Sequence, residues 1–355
     1  MNNINKTILL LNRREIPHYR IAVYNYLSEY LRNRCMCLTV LSNGIQNMDC
    51  SAINFKHMSI KWNITNIKRL LIKVRPDAII FWTDPKIIML PIYMFAKLFR
   101  IKMIHWGHRR PIAPIAFIRK VIYNCEHWMD DAIILYSEHL REHVWRCFRE
   151  KTFVANNTLN LTGYEPSNCI TSEVKKKYGI TTSKNIIFMG RIQPRKRIDD
   201  LTNAFQMLNL QDTGLIIAGP DPEGILQKTN GRNIYKVGAL YGKESLDLLT
   251  AADVYCIPGA IGLSIVDAFY CGVPVVTEDV IHGPEIMYLI DGVNGFMVPE
   301  GNVELLASRL NQILTDDVLR VKFSQAARNE IMTRGHIDRM CEGFVNALHY
   351  ALGQR

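Results

Sequence analysis

Short apolar segments alternate with longer helical patterns along the chain, and this alternation limits the folds that it can adopt. In the first half, the strand-like segments are residues 7–11, 36–41, 77–82, 102–106, 132–136 and 152–155. The helical patterns between them are residues 19–31, 87–98, 118–128 and 138–148. Continuous apolar strands separated by helices are typical of parallel sheets covered on both faces. We therefore predict a doubly wound α/β domain over residues 1–165.

The same rhythm begins again after a polar connector at residues 156–172. Strand-like segments follow at residues 185–189, 213–218, 233–237, 254–257 and 273–277, with helical patterns at 199–208, 243–251 and 263–270. Three further helical patterns, at residues 303–314, 317–334 and 337–352, have no strand after them. We predict a second doubly wound domain over residues 166–335, and a last helix at 336–355 that packs outside or back toward the first domain. Two such domains facing each other would bind ligands in the cleft between them.

Positive charge is concentrated in the first half of the chain. Residues 1–165 hold 24 Lys and Arg against 12 Asp and Glu, whereas residues 166–355 hold 19 against 21. Many of the cations are interleaved with apolar side chains: Arg13, Arg14, Lys68, Arg69, Lys73, Lys97, Arg100, Lys102, Arg109 and Arg110. Such segments are typical of proteins that lie on an anionic membrane surface, although a solvated basic surface gives the same composition. We expect no nucleic-acid partner, because no aromatic ladder or known RNA-binding module is present.

Several protein classes are excluded or disfavoured by simple signals. The longest uncharged apolar stretch of the first half, residues 87–96, is half of the ~20 residues that cross a bilayer. The N-terminal apolar core is too short for a secretory signal, so we expect a cytoplasmic protein. Its nine cysteines include no Cys-x-x-Cys pair, which argues against a disulfide framework and a thiolate zinc site.

Two loops of the second half carry residues suited to binding a diphosphate and a sugar nucleotide. The loop at residues 190–196 follows an apolar strand, and its Arg191 and Lys196 supply cations beside a helix start, where phosphate is favoured. The alternative is a solvated basic loop. A second glycine-rich turn, residues 258–263, opens another helix, in which Asp267 is the only carboxylate between residues 260 and 276. A carboxylate buried there must be paired or directed at ligand hydroxyls.

Six motifs in order make the second half similar to a known family. They are Gly190-Arg191 with Lys196, Ala218-Gly219-Pro220, Ala251-Ala252-Asp253-Val254, Gly262-Leu263 with Asp267-Ala268 and Gly272-Val273-Pro274, Gly283-Pro284-Glu285, and Asp291-Gly292-Val293-Asn294-Gly295. Over residues 185–300 the chain resembles the donor-binding domain of the family 4 glycosyltransferases, which have the GT-B fold. The first half resembles the family more weakly, through Gly107-His108, Tyr136-Ser137 and Val154-Ala155-Asn156-Asn157.

The resemblance implies a retaining transferase. Cations placed at the departing diphosphate would stabilise its charge, so we expect neither a metal nor a cofactor. Arg191 and Lys196 match the cations that bind the donor diphosphate, and Asp267 matches the second acid of a Glu-x7-Glu element that holds the ribose. The first acid of that element falls on Gly259, which departs from the pattern and leaves the donor sugar open. The predicted donor-binding residues are Gly190, Gly259, Ala260, Ile261, Gly262, Leu263, Asp267, His282 and Glu285.

Histidines and a glutamate complete the candidate set, each with a structural alternative. His108 would orient the sugar or the acceptor, or else serve a structural role. His282 would line the donor pocket or shape its loop, and Glu285 would contact the donor sugar or cap a helix. We expect His105 to pack inside its strand.

Together these features predict transfer of a sugar from a nucleotide-diphosphate donor to a hydroxyl of a lipid-linked glycan, on the inner face of the membrane. The pathway expected is the assembly of cell-surface polysaccharide or lipopolysaccharide. Two alternatives stay open: a non-catalytic nucleotide-sugar binding protein, suggested by Gly259, and a nucleotide-sugar epimerase of the same fold.

Overall fold

A computed structural model describes residues 6–46, 52–82, 90–107, 116–227 and 229–354. The chain divides into two compact units. The first comprises Met1–Asn160 and Ile337–Arg355, and the second is Leu161–His336. The predicted division after residue 165 falls in the connector that follows Asn160.

The first unit is built on a parallel sheet of seven strands. The strands are β1 (Lys6–Asn12), β2 (Met36–Ser42), β3 (Lys56–Ser59), β4 (Ala78–Trp82), β5 (Lys102–Gly107), β6 (Ala132–Leu135) and β7 (Thr152–Val154). Their order across the sheet is β3-β2-β1-β4-β5-β6-β7. The helices are α1 (His18–Arg32), α2 (Ile64–Val74), α3 (Leu90–Leu98) and α4 (Ala116–Met129).

Both faces of this sheet are buried, which explains the continuous apolar strands. Successive side chains of a strand point to opposite faces. In β1, Ile8 and Leu10 belong to one apolar cluster and Leu9 and Leu11 to another, and all four are buried. The first cluster includes side chains of α1, and the second includes side chains of α2 and α3.

The second unit repeats the plan with six parallel strands. They are β8 (Lys184–Met189), β9 (Thr213–Ala218), β10 (Ile234–Gly238), β11 (Val254–Cys256), β12 (Val275–Asp279) and β13 (Gly295–Pro299), in the order β10-β9-β8-β11-β12-β13. The helices are α5 (Thr171–Lys177), α6 (Ile198–Met207), α7 (Lys243–Leu249), α8 (Ser264–Tyr270), α9 (Val303–Thr315) and α10 (Asp317–Thr333). The prediction of two doubly wound domains is confirmed.

The last helix, α11 (Ile337–Leu352), belongs to the first unit. Its Phe344 ring lies 4.8 Å from the Trp106 ring, centroid to centroid. Gly343 lets the helix approach β7, because a Cβ at this position would overlap the carbonyl oxygen of Val154. The first unit is therefore built from both ends of the chain.

The helix predicted at residues 138–148 is wrong. The structure has two short 3-10 turns there, Glu138–His143 and Arg146–Lys151, separated by Val144 in an extended conformation. The side chain of Asn124 lies at the break, where it donates to the His143 carbonyl at 3.2 Å and accepts from the Trp145 N–H at 2.8 Å. These bonds replace helical ones, so the apolar spacing does not produce a continuous helix.

Hydropathy gives no candidate for a transmembrane segment. Among the helices that the structure describes, none is both long enough and apolar enough to span a bilayer.

Candidate active site

The candidate site lies at the carboxyl edge of the second sheet, where the strand order reverses. Strands β8 and β11 are neighbours, while the strands that follow them in sequence, β9 and β12, lie on opposite sides. A doubly wound sheet binds ligands at such a point, because the two connections diverge and leave a crevice. The predicted residues of this unit follow β8, β11 or β12 in sequence: Gly190, Arg191, Lys196, Gly259, Ala260, Ile261, Gly262, Leu263, Asp267, His282 and Glu285.

Two glycines hold the loops after β8 and β9 against each other. Gly190 has φ +149° and donates its N–H to the Ala218 carbonyl at 2.9 Å. Gly219 has φ +145°, and a Cβ there would overlap the carbonyl oxygen of Gly190. Both positions therefore require glycine. The backbone leaving β8 is held in place before it reaches Arg191.

The glycine at position 259 has a structural reason. Its N–H donates to the Lys196 carbonyl at 3.1 Å, and the next N–H, of Ala260, donates to the Arg195 carbonyl at 3.0 Å. A Cβ at 259 would overlap the Arg195 carbonyl oxygen. The two loops are thus joined backbone to backbone, and no acid fits where the family resemblance expects one.

Lys196 is the buried cation of the site. It ends a 3-10 turn, Pro194–Lys196, is 7% exposed, and donates from its ammonium group to the Ala260 carbonyl. Burial lowers the pKa of Lys196 to about 8, helped by the nearby Arg195 charge and opposed by the carboxylate of Glu285. A cation desolvated in this way gains more from an arriving anion than one in water would.

Arg191 is an exposed cation of the same loop. Its neighbour Ile192 is fully buried and donates its N–H to the Pro220 carbonyl at 3.0 Å, which anchors the backbone. Within the described ranges, the Arg191 guanidinium has no ion pair or hydrogen bond of its own. It is therefore available to an anion from solution.

The His282 ring connects the loop at residues 258–263 to the end of β12 through hydrogen bonds. Its Nδ1 accepts from the Ile261 N–H at 3.1 Å, and its Nε2 lies 2.8 Å from the Glu278 carbonyl. The two bonds require the neutral tautomer that carries its proton on Nε2. Both ring nitrogens are thus used in shaping the loop, and a direct contact of His282 with the donor stays a prediction.

Glu285 lies beside Lys196 and is only 5% exposed. It lies in the first turn of the 3-10 helix Pro284–Tyr288, and a Cβ on Gly283 would overlap the Glu285 carboxylate. Its carboxylate raises the pKa of Lys196 and so partly offsets the cost of burying that cation.

Asp267 lies in α8, where burial raises the pKa of its carboxyl to about 7. The carboxyl has no hydrogen-bond or ion-pair partner in the part of the chain that the structure describes, so the alternative of structural pairing finds no partner there. A group held in this state is suited to accept hydrogen bonds from ligand hydroxyls. Contact with the ribose remains a prediction.

An ion-pair cluster that was not predicted from the sequence supports the site. Arg197 has φ +54° and lies 2.6 Å from Asp200 and 3.1 Å from the buried carboxylate of Glu278. The same carboxylate accepts from the Gly301 N–H at 2.9 Å. The cluster joins the loop after β8 to the end of β12. Its only sequence signal is an acid at the end of a buried strand.

The residues singled out in the first unit are described by themselves. His108, predicted to orient a substrate, lies outside the described residues, as do Arg109 and Arg110. His105 is buried against Phe81, with ring centroids 5.3 Å apart.

Among the described residues, neither the cysteines nor groups of metal-ligating side chains form a further site. All eight cysteines within the described ranges are free thiols. In those ranges, no three His, Cys, Asp or Glu side chains are grouped as metal ligands.

The part of the chain that holds this site is similar to a known family. Residues 171–330 match the family described as glycosyl transferases group 1. Phosphatidyl-myo-inositol mannosyltransferase of Mycobacterium leprae is 31% identical over 158 residues, which cover 42% of each chain. O-antigen chain mannosyltransferase B of Escherichia coli is 28% identical over 168 residues, which cover 44% of this chain and 42% of the relative. The match therefore spans less than half the length of these relatives.

The fold is shared over nearly the whole chain. The crystal structure of Anabaena HepE in complex with UDP-glucose superposes with a TM-score of 0.75 at 17% identity, covering 96% of this chain and 99% of the other. The predicted GT-B fold and the glycosyltransferase resemblance are confirmed. Assignment to family 4 and retention of configuration stay predictions.

Proposed function

We propose, from the match of residues 171–330 to the glycosyl transferases group 1 family, that this chain transfers a sugar from a nucleotide-diphosphate donor to a hydroxyl of a glycan. One observation carries the proposal. A buried lysine with a lowered pKa and an exposed arginine without an ion partner in the described ranges follow the same strand, at the crevice of a doubly wound sheet.

The proposed reaction needs these two cations. The bond between the anomeric carbon and the diphosphate oxygen breaks, the acceptor oxygen bonds to that carbon, and the acceptor proton passes to the departing diphosphate. Negative charge grows on the diphosphate as the bond breaks, so Arg191 and Lys196 would stabilise the transition state more than the bound donor. We propose that they do so without a metal ion, and that the configuration is retained.

The remaining site residues would hold the donor. Asp267 would accept hydrogen bonds from the ribose, and the backbone N–H groups of Gly262 and Leu263, which make no hydrogen bond within the described ranges, would face the sugar and phosphates. Glu285 would contact the donor sugar from beside Lys196. The UDP-glucose complex of HepE supports a nucleotide-sugar donor, and the nucleotide base of this chain's donor is left open.

We propose a lipid-linked acceptor and a position on the cytoplasmic face of the membrane. Two observations support this. The first 165 residues carry twice as many cations as acids. The names of the relatives describe a phosphatidyl-inositol acceptor and an O-antigen chain, which favours assembly of cell-surface polysaccharide or lipopolysaccharide.

A transfer assay tests the proposal. The full chain is incubated with a panel of radiolabelled nucleotide sugars and with membrane lipid extract as acceptor. We expect one donor to label a lipid or glycan product. Tight nucleotide binding without turnover on any acceptor would favour the non-catalytic binding protein that Gly259 suggests. Conversion of one nucleotide sugar into another without acceptor would indicate an epimerase.

A further inference from the structure

A groove with an apolar floor and a cationic rim lies at the edge of the first sheet, in the other unit from the donor residues. It is a cavity of about 360 Å³ between β3 and α2. Its floor is formed by Leu41, Met58, Ile60 and Leu70, and its rim includes Lys61, Arg69 and Lys73. A volume of this size is typical of sites for small ligands. We call it the β3–α2 groove.

The packing of α2 explains why the groove is open. Ile67, Leu70 and Leu71 of this helix are buried in the cluster that covers the sheet. Strand β3 is the edge strand and pairs only with β2, so its outer side has no neighbouring strand. Arg69 and Lys73 are four residues apart and share a helix face, which places both along the groove.

The charges of the groove lack acidic partners. Lys61, Arg69 and Lys73 are exposed, and within the described ranges none of them has an ion pair. Residues 52–76 contain six Lys and Arg and no Asp or Glu. Three like charges around one cavity repel each other, and an anion placed between them would remove this cost.

Exposed apolar side chains lie on α2, which lines the groove, and on α3, which packs against α2. Helix α3 contacts α2, and its Met94 and Leu98 are 67% and 73% exposed. On α2 itself, Ile64 and Ile72 are exposed. An exposed apolar surface beside a cationic cavity matches a ligand that has a hydrocarbon chain and a phosphate head.

We infer that the β3–α2 groove binds the phosphate and the first part of the hydrocarbon chain of a lipid-linked acceptor. The inference rests on the proposed function, because it locates the lipid portion of the proposed acceptor. The cationic rim would hold the phosphate oxygens through charge-assisted hydrogen bonds, and the apolar floor would hold the chain.

Farnesyl diphosphate is a soluble probe that tests the groove by calorimetric titration of the full chain. We expect the double variant R69A/K73A to bind it about tenfold or more weakly than the unaltered chain. The double variant K56A/K68A removes two exposed cations from the same segment outside the groove lining, and it should bind normally. Equal binding by the unaltered chain and both double variants, or an equal loss in both double variants, would overturn the inference.

Two further arms separate the possible sources of the phosphate. Inorganic pyrophosphate should bind much more weakly than farnesyl diphosphate. Equal binding of the two would show that the groove recognises the phosphate alone and not the hydrocarbon chain. Vesicles of phosphatidylglycerol test the other source: binding to vesicles without binding to monomeric farnesyl diphosphate would contradict a single-lipid site.

Acceptor kinetics distinguish failure of the groove inference from failure of the proposed function. R69A/K73A should raise the KM for a lipid-linked acceptor while the KM for the donor stays unchanged. Absence of turnover in every variant, the unaltered chain included, would count against the proposed function alone. Normal acceptor kinetics in R69A/K73A would count against the groove alone.

Discussion

Gly259 shows how much a single residue of the candidate site depends on tertiary contacts. In the sequence it is visible only as a missing acid. In the structure its Cα lies against the backbone of Arg195 and Lys196, which leaves no room for any side chain. The loops that meet there are 63 residues apart in the chain, from 196 to 259, and no local pattern predicts their approach. The positions of Arg191 and Lys196 after a strand were predictable, whereas the burial of one and the exposure of the other were not.

Substitution of Gly259 should therefore destabilise the second unit. We expect Gly259→Ala to lower the free energy of unfolding by about 2 kcal/mol or more, because one loop must move away from the other. Gly262→Ala is the matched control, since a Cβ there meets no atom within 4 Å. Thermal unfolding of both variants measures the difference. Equal melting temperatures would show that the loops are not in contact.

The lowered pKa of Lys196 predicts a pH dependence. The donor diphosphate requires the charged lysine, so kcat/KM should fall as the pH rises through about 8. This decline should be absent in Lys196→Ala, and its persistence there would assign it to another group.

The same pKa predicts how stability depends on pH. The pKa of Lys196 in the folded chain lies below the ordinary value of 10.5, so the unfolded chain binds more protons between these values. The contribution of Lys196 to stability should therefore increase as the pH rises from about 8 to about 10.5.

At the scale of elements, long apolar strands were predictable and short or locally ambiguous elements were not. Strand β3 has four residues and lies at an edge, so it has little hydrophobic signal. Helix α2 is capped by Asn63, whose side chain accepts from the Asn66 N–H at 2.7 Å, and this cap is a local signal in the sequence. The helix predicted at 138–148 is interrupted by Asn124, a residue distant enough in sequence to escape any local pattern.

The docking of α11 on β7 gives a test at this scale. Gly343→Ala should lower the melting temperature of the first unit, because the added methyl would overlap the Val154 carbonyl. A loss of about 2 kcal/mol in the free energy of unfolding is expected. Asn346→Ala changes an exposed residue of the same helix and should leave stability within about 0.5 kcal/mol of the original. Calorimetry that finds both variants equal would contradict the close packing of α11.

At the scale of the whole molecule, the alternation of apolar strands and helices was sufficient to predict two doubly wound units. The return of α11 to the first unit depends on contacts between both ends of the chain and has no counterpart in local periodicity. The uneven distribution of charge was also visible in the sequence, with a net +12 for residues 1–165 and −2 for residues 166–355. A first unit without α11 would expose its core, so experiments on its membrane binding require the full chain.

Vesicle flotation tests the membrane proposal at this scale. The full chain should float with vesicles that contain phosphatidylglycerol and should be released as the salt concentration rises, because salt screens exposed charges. Vesicles of phosphatidylcholine alone are the control and should bind little protein. Equal, salt-insensitive flotation with both would show that the basic surface does not direct the interaction.

The central claim is that Arg191 and Lys196 bind the donor diphosphate, and Arg191→Ala tests it most directly. This residue is exposed, so its removal should leave the fold intact. Arg232→Ala is the matched control, because Arg232 is also exposed and precedes β10 at the opposite edge of the sheet. In a steady-state assay of sugar transfer, we expect Arg191→Ala to lower kcat by about two orders of magnitude while Arg232→Ala has no effect. An unchanged kcat in Arg191→Ala would contradict the account.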